Sequence, residues 1–240
     1  MQKGAVAAGH LESANAGAEI LRAGGNAFDA ALSAFLASCV CEPTYVSVGG
    51  GGFMLAHSAS GKTVLYDFFA QTPAVKRPPH ELDFRKVTLH FGGNTQDFHI
   101  GLGAVAVPGN VAGLFYIHQH LGRLPFAEIA APALQLAKNG VALTPFIQST
   151  IRLLAPILTD SADGKAVFTN KDGEIKSPPE TIFIPYLYDA LYALSKEGAR
   201  LFYEGEIGQQ LVADCAEKGG YITAADLKNY RVIERKPIQI

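Results

Sequence analysis

The 240-residue chain carries 20 Lys and Arg against 22 Asp and Glu, with 48% hydrophobic and 18% charged residues. This is a globular composition with enough apolar content for a core, and it excludes a disordered or low-complexity chain. A formal net charge of -2 without a long basic run leaves no electrostatic footprint for nucleic acid or an anionic membrane.

No segment reaches the length of a transmembrane helix, and Met1 to Gly9 lacks the apolar stretch of a signal peptide. A cytoplasmic location is expected, or a periplasmic one if a leader has been removed. Cys39, Cys41 and Cys215 are an odd number with neither zinc spacing nor a disulfide framework. They are expected as small buried hydrophobes in a reducing compartment.

In chain order, Ala14, Ala18 and Leu21 have helical spacing within Leu11 to Ala23, and Gly24-Gly25 stops that helix. Asn26 is placed to cap a second helix through Cys39, apolar almost all round and therefore buried against a sheet. Four glycines follow, Gly49 to Gly52, and then Gly61-Lys62-Thr63, which together suggest a phosphate-binding loop. The pattern fails. Ala56 stands where the first glycine is needed, and Thr63 to Phe69 is β-branched and aromatic where a helix is needed. Phe53 to His57 and Thr63 to Phe69 read instead as two strands joined by a hairpin at Ser58 to Lys62. Gly101-Leu-Gly103-Ala-Val-Ala106 fits a dinucleotide fingerprint in letters only, since it runs into Val107-Pro108-Gly109 and opens no helix.

Thr72 to Arg85 reads as a loop, long enough to be functional or mobile. Val87 to Phe91 alternates as a strand. His80, His90 and His99 lack the fixed spacing of metal ligands, and His118 and His120 lie on different faces of their helix. Asn110 is a candidate cap for a helix to Leu121, ending at Gly122, and Phe126 to Asn139 is a helix closed by Gly140. Pro178-Pro179 breaks the chain before helices at Tyr186 to Lys196 and Glu204 to Lys218. Thr223 and Asp226 suggest a cap for a last short helix. Arg231 to Ile240 is strand-like to its end.

Several stretches taken together resemble the γ-glutamyltransferase (γ-glutamyltranspeptidase) family of N-terminal-nucleophile hydrolases. They are AAGHLESANAGAEILRAGGNAFDAALS, CEPTYVSVGGGGFML, YDFFAQTPA, VAVPGNVAGLFYIHQHLGRLP, APALQLAKNGVAL and LFYEGEIGQQLVADCAEKGGYITAADLKNYRVIERKPI. They keep the family's order; only Thr150 to Ser177 carries no likeness. The resemblance implies an α+β fold, part of a four-layer αββα sandwich with helices flanking an incomplete sheet. It implies one domain over 1–240, the large-subunit portion of a self-cleaving precursor, truncated at its C-terminus. It also implies glutathione-type γ-glutamyl or related amide substrates. The catalytic nucleophile would be the N-terminal threonine of a small subunit beyond Ile240, so the chain alone is expected to be inactive. Thr44, Ser47, Thr72 and Thr144 are loop hydroxyls without a nucleophile motif.

One departure bears on substrate. Where the family reads Asp-Phe-Arg-Glu, with the arginine holding the donor's α-carboxylate, this chain reads Asp67-Phe68-Phe69-Ala70. A phenyl ring cannot pair with a carboxylate, and loss of such a contact costs on the order of 2–5 kcal/mol of binding. Either a cation from Lys76, Arg77 or Arg85 takes its place, or the donor is not an ordinary free γ-glutamyl compound. Phe69, Gln71 and Arg77 are the candidate substrate-binding residues. No metal or organic cofactor requirement is visible. The expected partner is a small subunit from the same precursor, with self-association of the fragment if strands are missing. The alternative is a non-catalytic binding or assembly module of the same fold, which a stop codon directly after Ile240 would favour.

Overall fold

The computed structural model describes residues 4–238. Helix α1 (Leu11–Arg22) is capped by the His10 ring, which accepts from Glu12 N at 3.1 Å, and it stops where Gly24 turns to φ +95°. Helix α2 (Ala27–Cys41) opens on a capping box: Asn26 Oδ1 accepts from Phe28 and Asp29 N–H, and Asp29 Oδ2 accepts from Asn26 N. It runs two residues past the expected Cys39. Strands β1 (Gly52–His57) and β2 (Thr63–Phe68) form the expected antiparallel hairpin, turning at Gly61 with φ +83°, so Lys62 sits in a connection between strands.

Strand β3 (Arg85–Phe91) pairs with β4 (Asn94–Ile100) across Gly92-Gly93. Strand β4 was not expected from the sequence, because Asn94-Thr-Gln-Asp97 is polar throughout and shows no alternation. Leu102–Ala104 is a single 3-10 turn. Next come α3 (Asn110–Leu121), α4 (Phe126–Asn139), the two-residue strand β5 (Val141–Ala142), α5 (Pro145–Leu158), α6 (Ala162–Phe168) and β6 (Thr181–Ile182), which pairs with β5. The chain continues through α7 (Leu187–Glu197), α8 (Ala199–Tyr203), α9 (Glu206–Lys218) and α10 (Ala224–Asn229) to β7 (Ile233–Arg235).

Three expectations are corrected. Asn110 is not the cap of α3: Gly109 holds that position, and the Asn110 amide donates instead to Ser47 O at 2.7 Å. The helix expected from Glu204 begins at Glu206, after Gly205 separates it from α8. The tail is a strand only over Ile233–Arg235, and its last two residues lie outside the described ones.

Strands β1, β2 and β7 form one antiparallel sheet in the order β1-β2-β7. Its two faces differ. Ala56, Val64, Tyr66 and Phe68 are buried in the main core with α2, α3 and α4. The opposite face carries Phe53, Leu55 and Ile233, exposed at 56%, 63% and 41%. Smaller apolar clusters lie around Ile147 and Ile151 of α5 and around Cys215 and Leu227. All three cysteines are buried and unpaired, and burial raises Cys39 to about 12 and Cys41 to about 11.

Glycines close the seam between the sheet and α3. A Cβ on Gly109 would strike Phe68 O and the Tyr230 hydroxyl, and one on Gly113 would enter the Phe68 ring. Gly109→Ala should therefore cost on the order of 1–3 kcal/mol as an overpacking substitution. Gly49→Ala, whose methyl would meet nothing nearer than Ser47 Oγ at 3.9 Å, should stay within about 0.5 kcal/mol of the parent. Equal denaturation midpoints for the two variants would refute the close-passage account.

Candidate functional site

The site develops where β2 ends. Asp67 and Phe69 project to the open sheet face, with Phe68 between them in the core. The Phe69 backbone is held on both sides. Its N–H donates to Asp67 Oδ1 at 3.0 Å, and its carbonyl accepts from the Tyr230 hydroxyl at 2.9 Å. Tyr230 is buried and stacks on Tyr203, whose hydroxyl donates to Pro108 O at 2.8 Å. The Phe69 ring, 56% exposed, stacks on Phe53 with centroids 5.4 Å apart and planes 16° apart. Asp67 Oδ2 accepts from Arg235 Nε at 2.7 Å across the β2–β7 pair.

The other candidates are placed as follows. Gln71 is exposed, and its backbone exchanges both hydrogen bonds with Val107 at 3.1 and 2.8 Å. Arg77 sends Nη1 to Cys215 O at 3.0 Å and Gly220 O at 2.9 Å, and Nη2 to Glu81 at 3.4 Å, so its guanidinium holds the C-terminal turn of α9. Arg85 grips Asp160 through both Nη atoms and Asp83 through Nε, on the β3–β4 hairpin. Lys76 is exposed and forms no ion pair among the described residues. The structure therefore brings Phe53, Asp67, Phe69, Tyr230 and Arg235 together, and it keeps Arg77 and Arg85 engaged elsewhere. The sequence reading missed Tyr230 and Arg235. The signal for Arg235 was its place in a strand-like tail, without an indication of which strand that tail would join.

Among the described residues no group of three or more His, Cys, Asp or Glu is gathered as metal ligands, and no helix is long and apolar enough to cross a membrane.

Helices layered on one face of an antiparallel sheet, with the other face apolar and open, make the architecture of one half of an αββα N-terminal-nucleophile hydrolase. The chain belongs to the gamma-glutamyltranspeptidase family, whose model matches residues 13–240. It is 30% identical to the glutathione hydrolase proenzyme of Escherichia coli over 99% of this chain and 40% of that protein. It is 32% identical to the acylase ACY 1 proenzyme of a Pseudomonas species over 99% of this chain and 42% of that protein. The crystal structure of Helicobacter pylori gamma-glutamyltranspeptidase superposes with a TM-score of 0.85 at 28% identity, covering 99% of this chain and 67% of that one. The chain spans between 35% and 42% of the length of the curated relatives it matches.

The Asp67–Arg235 pair should be visible in acid. Partial burial works to raise the Asp67 pKa, but the Phe69 N–H and the Arg235 guanidinium outweigh it and hold the carboxyl below its usual value. A depressed folded-state pKa gives stability that is present above the unfolded value of about 3.9 and is lost as pH falls through the folded one. Asp67→Asn should flatten this part of the stability curve below about pH 4. Denaturation midpoints measured from pH 6 to pH 3 test it, and curves of identical shape for the two proteins would remove Asp67 as a source of the acid sensitivity.

Proposed function

We propose that the chain is the large-subunit portion of a γ-glutamyltransferase-like amidohydrolase. The single observation that carries this is the family match over 13–240, with relatives of both hydrolase and acylase name that are proenzymes. The nucleophile would be the N-terminal threonine of a small subunit from the same precursor. Its hydroxyl attacks the amide carbonyl, its own α-amino group takes the hydroxyl proton and passes it to the amine that leaves as the C–N bond breaks, and the acyl ester is then transferred to water or another amine. The exposed residues Phe53, Leu55 and Ile233 on the open sheet face give that subunit an apolar surface to cover, and would give the chain alone a surface for self-association. Three buried, unbridged thiols suit a reducing compartment.

Within this reading, residues 67 to 71 are the donor-facing part of the chain. Asp67 and Tyr230 fix the Phe69 backbone, and Phe69 with Phe53 offers an aromatic shelf in place of a guanidinium. Such a shelf favours an acyl group with apolar character over one recognised by a free α-carboxylate. The presence of acylases among the relatives agrees with that direction.

Two measurements test the reading. Intact mass and N-terminal sequencing of the purified gene product should give a second polypeptide beginning with threonine. A single species ending at Ile240 would leave only a scaffold. In the processed protein, Phe69→Arg should raise kcat/KM for simple γ-glutamyl anilides by about tenfold or more, since a restored charged contact is worth a few kcal/mol. No gain would count against the shelf as the determinant of donor choice.

A further inference from the structure

The segment Gly4 to Gly9 precedes α1 and belongs to no helix or paired strand, yet its course is fixed by α1. A Cβ on Gly4 would meet Leu21, and one on Gly17 would touch Val6 Cγ1. Two residues of the segment thus pass four residues of the helix. Four helical residues rise about 6 Å, and two residues reach that far only when extended, at about 3.3 Å each. The segment therefore runs as an extended strand along α1, in the opposite direction.

That strand is unpaired. No N–H or C=O of Gly4 to Gly9 enters a backbone hydrogen bond among the described residues. Val6 is half-buried and the other five residues are exposed. Gly-Ala-Val-Ala-Ala-Gly holds no charge and no proline, so it lacks the devices that normally blunt an exposed edge, and it lacks the polar turn residues of a loop. Six neutral residues, each with an N–H to donate, are a template for strand addition.

An open groove of about 660 Å³ lies beside this edge, lined by Gly4 to Ala7 together with Ala27, Ala31 and Ala34 of α2. The small side chains leave width for a second backbone. Leu32 and Leu36 of α2 lie in the main core with the sheet, whereas Ala27 and Ala31 are exposed. The groove thus opens on a different face of α2 from the one that meets the sheet. Arg123 is the one ionisable side chain of the lining. It is exposed, forms no ion pair among the described residues, and its guanidinium makes one 3.4 Å hydrogen bond, to Gly24 O. Gly24 follows α1 closely after Leu21, so the guanidinium stands at the Gly4 end of the groove.

Direction and charge then define the occupant. A strand added antiparallel to Gly4–Ala8 brings its own C-terminal end to Gly4, where Arg123 offers a carboxylate a charge-assisted partner. We propose that the groove binds the C-terminal segment of a partner polypeptide by strand addition, its backbone paired with Gly4–Ala8 and its terminal carboxylate on Arg123.

The probe is the peptide acetyl-Ala-Val-Ala-Val-Ala with a free C-terminal carboxylate. It is titrated into the isotopically labelled protein while the amide resonances of Gly4 to Ala8 and their hydrogen exchange are followed. The peptide should shift them saturably and slow exchange at alternate residues. Its C-terminal amide should bind at least about tenfold more weakly, and a version methylated at every amide nitrogen should not bind. Arg123→Gln should abolish the difference between acid and amide while leaving the denaturation midpoint unchanged. Equal binding of acid and amide, binding that survives methylation, or no saturable shift at millimolar peptide would each overturn the assignment. So would amides already protected without peptide, which place a segment of the same molecule on the edge, or shifts that follow protein concentration alone, which place a second copy there. Binding is read without turnover, so failure here leaves the acyl-transfer reading standing, and failure of that reading leaves this partner site standing.

Discussion

The closure of the glycine run onto the start of α3 is the contact on which the rest of the molecule depends. Gly50 O accepts two N–H groups, from Gly109 and Asn110, and that junction holds the loop after α2 against the helix that covers the sheet. There is no slack in it. Gly51 lies against the Ala70 backbone, Gly109 against Phe68 O, and Gly113 against the Phe68 ring. Side chains larger than hydrogen at these positions would push α3 away from β2 and unseat Phe68 from a core it shares with Leu114 and Ile117. The glycines that first suggest a phosphate cradle therefore do mechanical work, permitting close approach of backbone to backbone.

That seam also divides the chemistry of the sheet. With Phe68 locked inward, the two-residue period of the strand sends Asp67 and Phe69 outward. The outward face is mostly apolar, and a carboxylate there would be costly to cover without a partner. Arg235 supplies the partner from the neighbouring strand before any covering occurs, and Asp67 spends its second oxygen on the Phe69 N–H. The pair is thus a condition for a face that can be buried.

Legibility in the sequence followed how local the deciding interaction was. Helix α4 could be read to the residue because Phe126 opens an amphipathic run and Gly140, at φ +72°, ends it. The capping boxes at Asn26 and Thr223 are also local, spanning three residues each. Asn110 was misread because it is a capping residue type whose side chain found a better acceptor, Ser47 O, sixty-three positions away. Strand β4 hid because its exposed residues do not alternate, although Gly92-Gly93 was a hairpin signal. Strand β7 is too short to show a period, and its pairing with β2 is set by the fold. The site inherits this pattern: Phe69 stood out by motif, while Tyr230 and Arg235 became visible only through contacts that cross more than 150 residues.

At Phe69 the frame and the chemistry come apart. The backbone there is fixed by an aspartate and a tyrosine hydroxyl, neither of which touches the side chain at position 69 through a polar group. A change of that side chain can therefore alter what the site recognises without disturbing how the strand end is built. The neighbouring arginines are already committed, while Lys76 is exposed and forms no ion pair among the described residues. Arg77 holds two carbonyls of the α9 terminus, Arg85 is held by two carboxylates, and Arg235 is engaged by Asp67. Moving any of these cations to a ligand would leave carbonyls or a carboxylate unpaired, a cost comparable to the contact it would replace. The result is a frame that leaves position 69 free to differ.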